Sequence, residues 1–196
     1  MKCVSFACIL LIQALFGCSN PQTASEKRLS EEFSEDKFSN CSAKNQWELE
    51  AVVNGSYSID LPANWQIGIV NNGQMLFATD TTLSMHNTNS IKIDEISFGF
   101  HLESYFNETV ARFSTVNEEL KFLDCGNATV AHQKALWMAY QAVSDTINQD
   151  SYAYYIQNKN VSPSIYILET YTTGSQNIEQ RHCDLRKIVE TFQFVE

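Results

Sequence analysis

The residues of this chain with chemistry to offer are few, and their spacing argues against most of it. Histidine occurs at His86, His101, His132 and His182. No two stand four apart, the spacing that would aim both from one helical face at a metal, and no Cys-x-x-Cys lies near any of them. His182 and Cys183 are neighbours, which suggests a nucleophile beside its base, yet adjacent helical residues point about 100° apart and do not meet. No Gly-x-Ser-x-Gly elbow, Walker loop or Gly-x-Gly-x-x-Gly turn occurs, and seven glycines are present in all. The expectation is a protein that is not an enzyme and takes no metal or cofactor. Glu118-Glu119 reads as a solvated helix face.

The remaining candidates are aromatic. Trp137, Tyr140, Tyr152, Tyr154, Tyr155, Tyr166 and Tyr171 gather in the last three strands. Of these, Trp137, Tyr140, Tyr154 and Tyr166 either fill a core against two helices or line a cleft or partner patch. The sequence leaves both readings open.

The elements that would position them begin at Tyr57-Ser58-Ile59-Asp60-Leu61-Pro62, where apolar and polar residues alternate as on a half-buried strand. Pro62 ends that strand, and Trp65, Ile67 and Ile69 restart the alternation. Asn71-Asn72-Gly73-Gln74 supplies the positive φ of a tight hairpin. A strand is expected from Ile93 to Leu102, then a helix over 104–122 capped by Ser104, with Phe106, Val110, Phe113 and Leu120 at helical spacing and Asp124-Cys125-Gly126 as its stop. Strands follow over 129–143, 151–157 and 164–171. A second helix spans 176–191, with Ile178, His182, Leu185, Ile188, Val189 and Phe192 on one stripe, and Phe194 lies in a short last strand. The fold class is α+β, an antiparallel sheet flanked by two main helices.

Ahead of this domain the composition changes. Lys2 precedes an apolar run from Val4 to Phe16, the order of a secretory signal. The run ends in Leu15-Phe16-Gly17-Cys18, which resembles the lipobox of bacterial lipoproteins and marks Cys18 as the lipidated residue. Ser19 in place of aspartate favours the outer membrane. Residues 1–17 read as a lipoprotein signal peptide, 18–46 as a flexible acidic tether, and 47–196 as the globular domain. The formal charge of −10 repels nucleic acid and anionic lipid. With Cys18 acylated, Cys41, Cys125 and Cys183 remain in an oxidising compartment. Three cannot all pair. Cys125 with Cys183 is the preferred disulfide, because both lie in the domain while Cys41 lies in the tether.

The order of elements resembles the Mog1/PsbP-like superfamily, and in particular small bacterial lipoproteins that carry such a domain. The matching residues are Tyr57-Ser-Ile-Asp-Leu-Pro-Ala-Asn-Trp65, Ile96-Ser-Phe-Gly-Phe-His101 and Ile188-Val-Glu-Thr-Phe-Gln-Phe194. One departure is Ala131-His132-Gln133-Lys134, where the family often has a glycine before the next strand. The resemblance implies an αβα sandwich and a family whose better-known members bind or assemble with other proteins and lack catalytic machinery. The function expected is that of a non-catalytic, lipid-anchored envelope protein that binds or helps assemble a partner protein. A small-ligand module with an aromatic cleft is the alternative, and an undetected hydrolase comes third. Palmitate labelling is expected in the wild-type chain and lost in Cys18→Ser; equal labelling of both would refute the anchor.

Overall fold

Tyr57, Ile59 and Leu61 are fully buried on one face of a strand whose other face carries Ser58 and Asp60, as their alternation requires. The computed structural model describes residues 34–83, 87–96, 99, 101–115, 120–143, 148–157 and 163–195. The sequence expectations for Cys18, the signal peptide and His86 lie outside these residues. In chain order the elements are β1 (Ser34–Glu35), β2 (Leu49–Asn54), β3 (Tyr57–Pro62), β4 (Trp65–Val70), β5 (Met75–Asp80), β6 (Asn89–Ile96), α1 (Leu102–Thr115), β7 (Leu120–Val130), β8 (Gln133–Val143), β9 (Asn148–Ile156), β10 (Ile165–Thr173), α2 (Ile178–Glu190) and β11 (Gln193–Phe194). One sheet has the strand order β1-β7-β8-β9-β10-β6-β5-β4, and a smaller one β11-β3-β2. All pairings are antiparallel except that of β1 with β7.

The two faces of the large sheet bury two separate cores. On one face Ile91, Ile93, Trp137, Tyr154, Tyr166 and Leu168 pack with Leu185, Ile188 and Val189 of α2 and with Tyr57, Ile59 and Leu61 of the small sheet. On the other, Leu136, Met138, Tyr140, Ala153 and Tyr155 meet Leu102, Phe106 and Val110 of α1. β10 is covered on both faces, as the apolar residues on both sides of Ile165–Leu168 imply.

Three expectations need correction. The first helix ends at Thr115 and not at 122; Leu120 opens β7 and pairs with Ala142. Leu120 fits a helical stripe, but Leu120 and Phe122 also alternate, and pairing with β8 satisfies their backbone groups. Asp124-Cys125-Gly126, read as a stop, lies inside β7 next to a register shift between Phe122 and Asp124. Second, the strand expected over 129–143 is divided by a two-residue turn. Ala131 and His132 take φ of 53° and 59°, a conformation that costs an L-residue roughly 1–2 kcal/mol and that glycine adopts freely.

Third, residues 34–46 are not a tether. Asp36 and Phe38 are only 3% and 4% exposed, so the folded unit includes the stretch that composition assigned to a linker. The Asp36 carboxylate accepts from Arg186 Nε at 2.6 Å, and the same guanidinium donates to the Thr129 carbonyl at 2.9 Å and lies over the Tyr154 ring, 5.0 Å from its centre. Phe38 meets Tyr152 edge-on, with ring centres 4.9 Å apart. A disulfide joins Cys41 to Cys183, and Cys125 is instead a buried thiol in the core beneath α1. The expected Cys125–Cys183 pair is therefore replaced, because residues 36–45 cross α2 and bring Cys41 to it.

Removing one member of a buried ion pair strands the other. Asp36→Ala is expected to lower unfolding stability by about 3–5 kcal/mol, read from urea melts, with Asp36→Asn closer to wild type. A loss too small to measure would show that this pair does not hold the segment.

Candidate functional site

The conspicuous sequence pair, His182 and Cys183, is brought together with nothing it could attack. Cys183 is committed to Cys41. His182 is buried, its Nε2 3.0 Å from the Thr172 hydroxyl, its Nδ1 without a hydrogen-bond partner among the described residues, and its ring packed edge-on against Tyr152 with centres 4.5 Å apart. Burial, with Arg181 and Lys37 adding positive charge nearby, pushes its pKa down from 6.5 to about 3. It is a neutral core residue at pH 7, as its place on the apolar stripe of the second helix suggested.

That burial has a sign. The unfolded chain protonates His182 near pH 6.5 and the folded chain only near pH 3, so between these values the unfolded state binds more protons. The residue's contribution to stability is complete above pH 6.5 and is lost as pH falls through this window. Unfolding free energy, read from urea melts, is expected to drop more between pH 7 and pH 4 in wild type than in His182→Gln, a difference on the order of a few kcal/mol. Parallel profiles for the two proteins would contradict it.

The four aromatic candidates Trp137, Tyr140, Tyr154 and Tyr166 are all buried. Trp137, Tyr154 and Tyr166 belong to the α2-side core and Tyr140 to the α1-side core. They do not form a cleft. A cavity of about 580 Å³ lies elsewhere, between the 36–45 segment and the start of α2, lined by Lys37, Phe38, Gln180 and the disulfide. Lys37 and Glu179 form an ion pair of 3.1 Å at its rim. Among the described residues no three of His, Cys, Asp and Glu are grouped to hold a metal ion.

The polar cluster that sequence reasoning missed is on the α1 side of the large sheet. α1 packs mainly on β7, β8 and β9, and beside it β10, β6 and β5 present Glu169, Tyr171, Lys92, Asp94 and Phe77. Strand register creates the cluster: Lys92 stands opposite Glu169 on one side and Phe77 on the other. Lys92 Nζ lies 2.5 Å from Asp94 and 3.8 Å from Glu169, and the Tyr171 hydroxyl donates to Glu169. Burial raises Glu169, against the opposing pull of Tyr171 and Lys92. Burial would lower Lys92, but Asp94 and Glu169 outweigh it and raise the pKa overall. Both carboxylates thus have partners, and Tyr171 is raised by burial and by Glu169. Only the period-two alternation of Lys92 and Asp94 with Ile91 and Ile93 signalled it in the sequence.

Exposed apolar residues lie next to this cluster. Phe77 is 43% exposed and Val70 48%, and on the opposite face of β4 Ile67 and Ile69 are 41% and 49% exposed. β4 is the last strand of its sheet. β2, the last strand of the small sheet, runs beside it, since Trp47 meets Trp65 with ring centres 5.6 Å apart and the Asn54 side chain donates to the Gly73 carbonyl at 2.7 Å.

No family model and no curated protein matches the sequence. Solved structures match the fold. The Ran-binding protein Mog1p of Saccharomyces cerevisiae superposes with a TM-score of 0.53 at 10% identity, over 77% of this chain and 97% of its own. LpqN of Mycobacterium tuberculosis, involved in cell envelope biogenesis, gives 0.51 at 9% identity over 78% and 93%. PA94 of Pseudomonas aeruginosa, a protein of unknown function and putative regulator, gives 0.50 at 12% identity over 73% and 94%. The fold is Mog1/PsbP-like, α+β with antiparallel sheets and two helices among the described residues.

Proposed function

We propose that this chain is a non-catalytic, lipid-anchored envelope protein that binds a partner protein on the part of the α1-side sheet surface that α1 leaves open. The observation that carries the reading is the joint placement of Phe77 and Val70, both more than 40% exposed, beside the internally paired Lys92, Asp94 and Glu169. An exposed aromatic next to fixed, paired charge suits a protein interface, where aromatics anchor and paired charges set register. Small-ligand chemistry is less well served, because the aromatics that would have lined a cleft are in the two cores. The Ran-binding of Mog1p and the envelope role of LpqN agree with a binding role in the envelope.

The anchor rests on the sequence: Lys2, the apolar run and Leu15-Phe16-Gly17-Cys18 occur in the order that lipidation needs. The outer membrane is the placement that Ser19 favours.

Cross-linking of the full-length protein in its own cells, followed by pull-down, is expected to recover one stoichiometric protein that a control ending at residue 33 does not. Phe77→Asp should cut that recovery by about tenfold or more, as loss of an interface anchor does, with the fold intact because Phe77 is half exposed. Recovery unchanged by Phe77→Asp would remove this surface from the reading, and a co-purifying small molecule without any protein would overturn it.

A further inference from the structure

The disulfide Cys41–Cys183 holds down a stretch of chain that little else holds. Every residue from Ser42 to Gln46 is exposed, and Cys41 and Ser42 border the cavity of about 580 Å³ at the start of α2. Beyond the disulfide, the ties of residues 39–46 to α2 among the described residues are polar. The Ser42 carbonyl accepts from Gln180 Nε2 at 3.1 Å, and Asp184 Oδ1 accepts from the Lys44 amide at 2.8 Å and the Asn45 amide at 3.5 Å. Hydrogen bonds this close to water add little to stability, because water replaces them when they open.

Both ends of the stretch are fixed without the disulfide. Asp36 is paired with Arg186 and Phe38 is packed on Tyr152. On the other side Trp47 meets Trp65, and the Glu48 carbonyl accepts from the Ala63 amide at 2.9 Å. The disulfide therefore acts on the middle of a loop whose ends stay put, and breaking it frees that loop as a local event.

The cavity also gives access. Exchange starts only where a thiolate reaches a sulfur, and both half-cystines line this space. Cys41 is half-buried and Cys183 is buried, so Cys41 is the sulfur open to attack. Under the loop, Glu179 with Cys183 and Gln180 with Asp184 stand four apart on one face of α2. Asp184 is buried, and the amides that bond to it belong to the loop.

We infer that Cys41–Cys183 is a reducible latch: a dithiol reductant opens it, residues 39–46 leave α2 between their fixed ends, and Cys183 and Asp184 become accessible. In the first step a thiolate of the dithiol attacks Cys41 Sγ. A new S–S bond forms, the Cys41–Cys183 bond breaks, and its electron pair leaves on Cys183 Sγ, which takes a proton. The second thiolate of the dithiol then attacks the mixed disulfide and releases Cys41, which takes a proton in turn. Two electrons and two protons enter the protein, and the dithiol leaves as a disulfide. The latch lies on the α2 side, so it does not depend on the partner surface proposed on the α1 side.

Dithiothreitol is the probe, applied to the full-length protein under native conditions. Alkylation and peptide mapping should then find Cys41 and Cys183 labelled, with Cys125, buried beneath α1, unlabelled until denaturant is added. Hydrogen exchange over residues 39–46 should accelerate about tenfold or more on reduction, while peptides from β8, β9 and β10 stay protected. Reoxidation should restore slow exchange. Cys41→Ser/Cys183→Ser should show the fast exchange before any reductant is added, with the circular dichroism of the parent. A disulfide that yields only in denaturant overturns the inference. So does reduction that leaves exchange over 39–46 unchanged, or that unfolds the sheet along with the loop. Phe77→Asp should leave every one of these readouts as in the parent, which keeps the latch and the partner surface separately testable.

Discussion

A carboxylate and a guanidinium, both nearly out of reach of water and 150 positions apart in sequence, set the terms for the rest of the molecule. Ions in such a place are tolerated only where geometry and further hydrogen bonds offset the lost hydration. Arg186 meets that demand by touching three elements at once: Asp36 from the leading segment, the Thr129 carbonyl at the end of β7, and the Tyr154 ring in β9. α2 is thereby fixed in rotation on the sheet. With that helix fixed, His182 faces Tyr152 and Thr172, and Cys183 faces Cys41. The disulfide closes a separation of 142 residues, for which loop-closure entropy alone suggests roughly 5 kcal/mol.

The two faces of the large sheet divide the work differently. The α2 side is closed, by a helix, a small sheet and the leading segment, and its buried polar groups are spent on holding those pieces together. On the α1 side one helix covers part of the sheet, and the strands beyond it present Lys92, Asp94, Glu169 and Tyr171 beside exposed apolar residues. Ion pairs of this half-buried kind add little to stability.

Much of the architecture was legible from local pattern. The Tyr57–Pro62 alternation, the Asn71–Gln74 turn, the two-sided β10 and the stripe of the second helix are all nearest-neighbour signals, and all appear where the pattern put them. What failed was decided at long range. Leu120 fits both a helical and a strand period, and only the presence of β8 alongside selects the second. Asp36 and Phe38 stand in a polar stretch whose composition says linker, and nothing local reveals an arginine far along the chain. The disulfide followed the same logic, since assigning Cys41 to a linker removed the correct partner. The polar cluster was hidden for a related reason: Lys92 and Glu169 become neighbours only through the register of β6 against β10.

The parallel contact of Ser34–Glu35 with Gly126 and Asn127 seats the first described strand at one margin of the large sheet. β4 forms the other margin, seven strand positions away or about 34 Å at the usual spacing between strands, so the leading segment and the exposed isoleucines of β4 lie at opposite ends of one sheet.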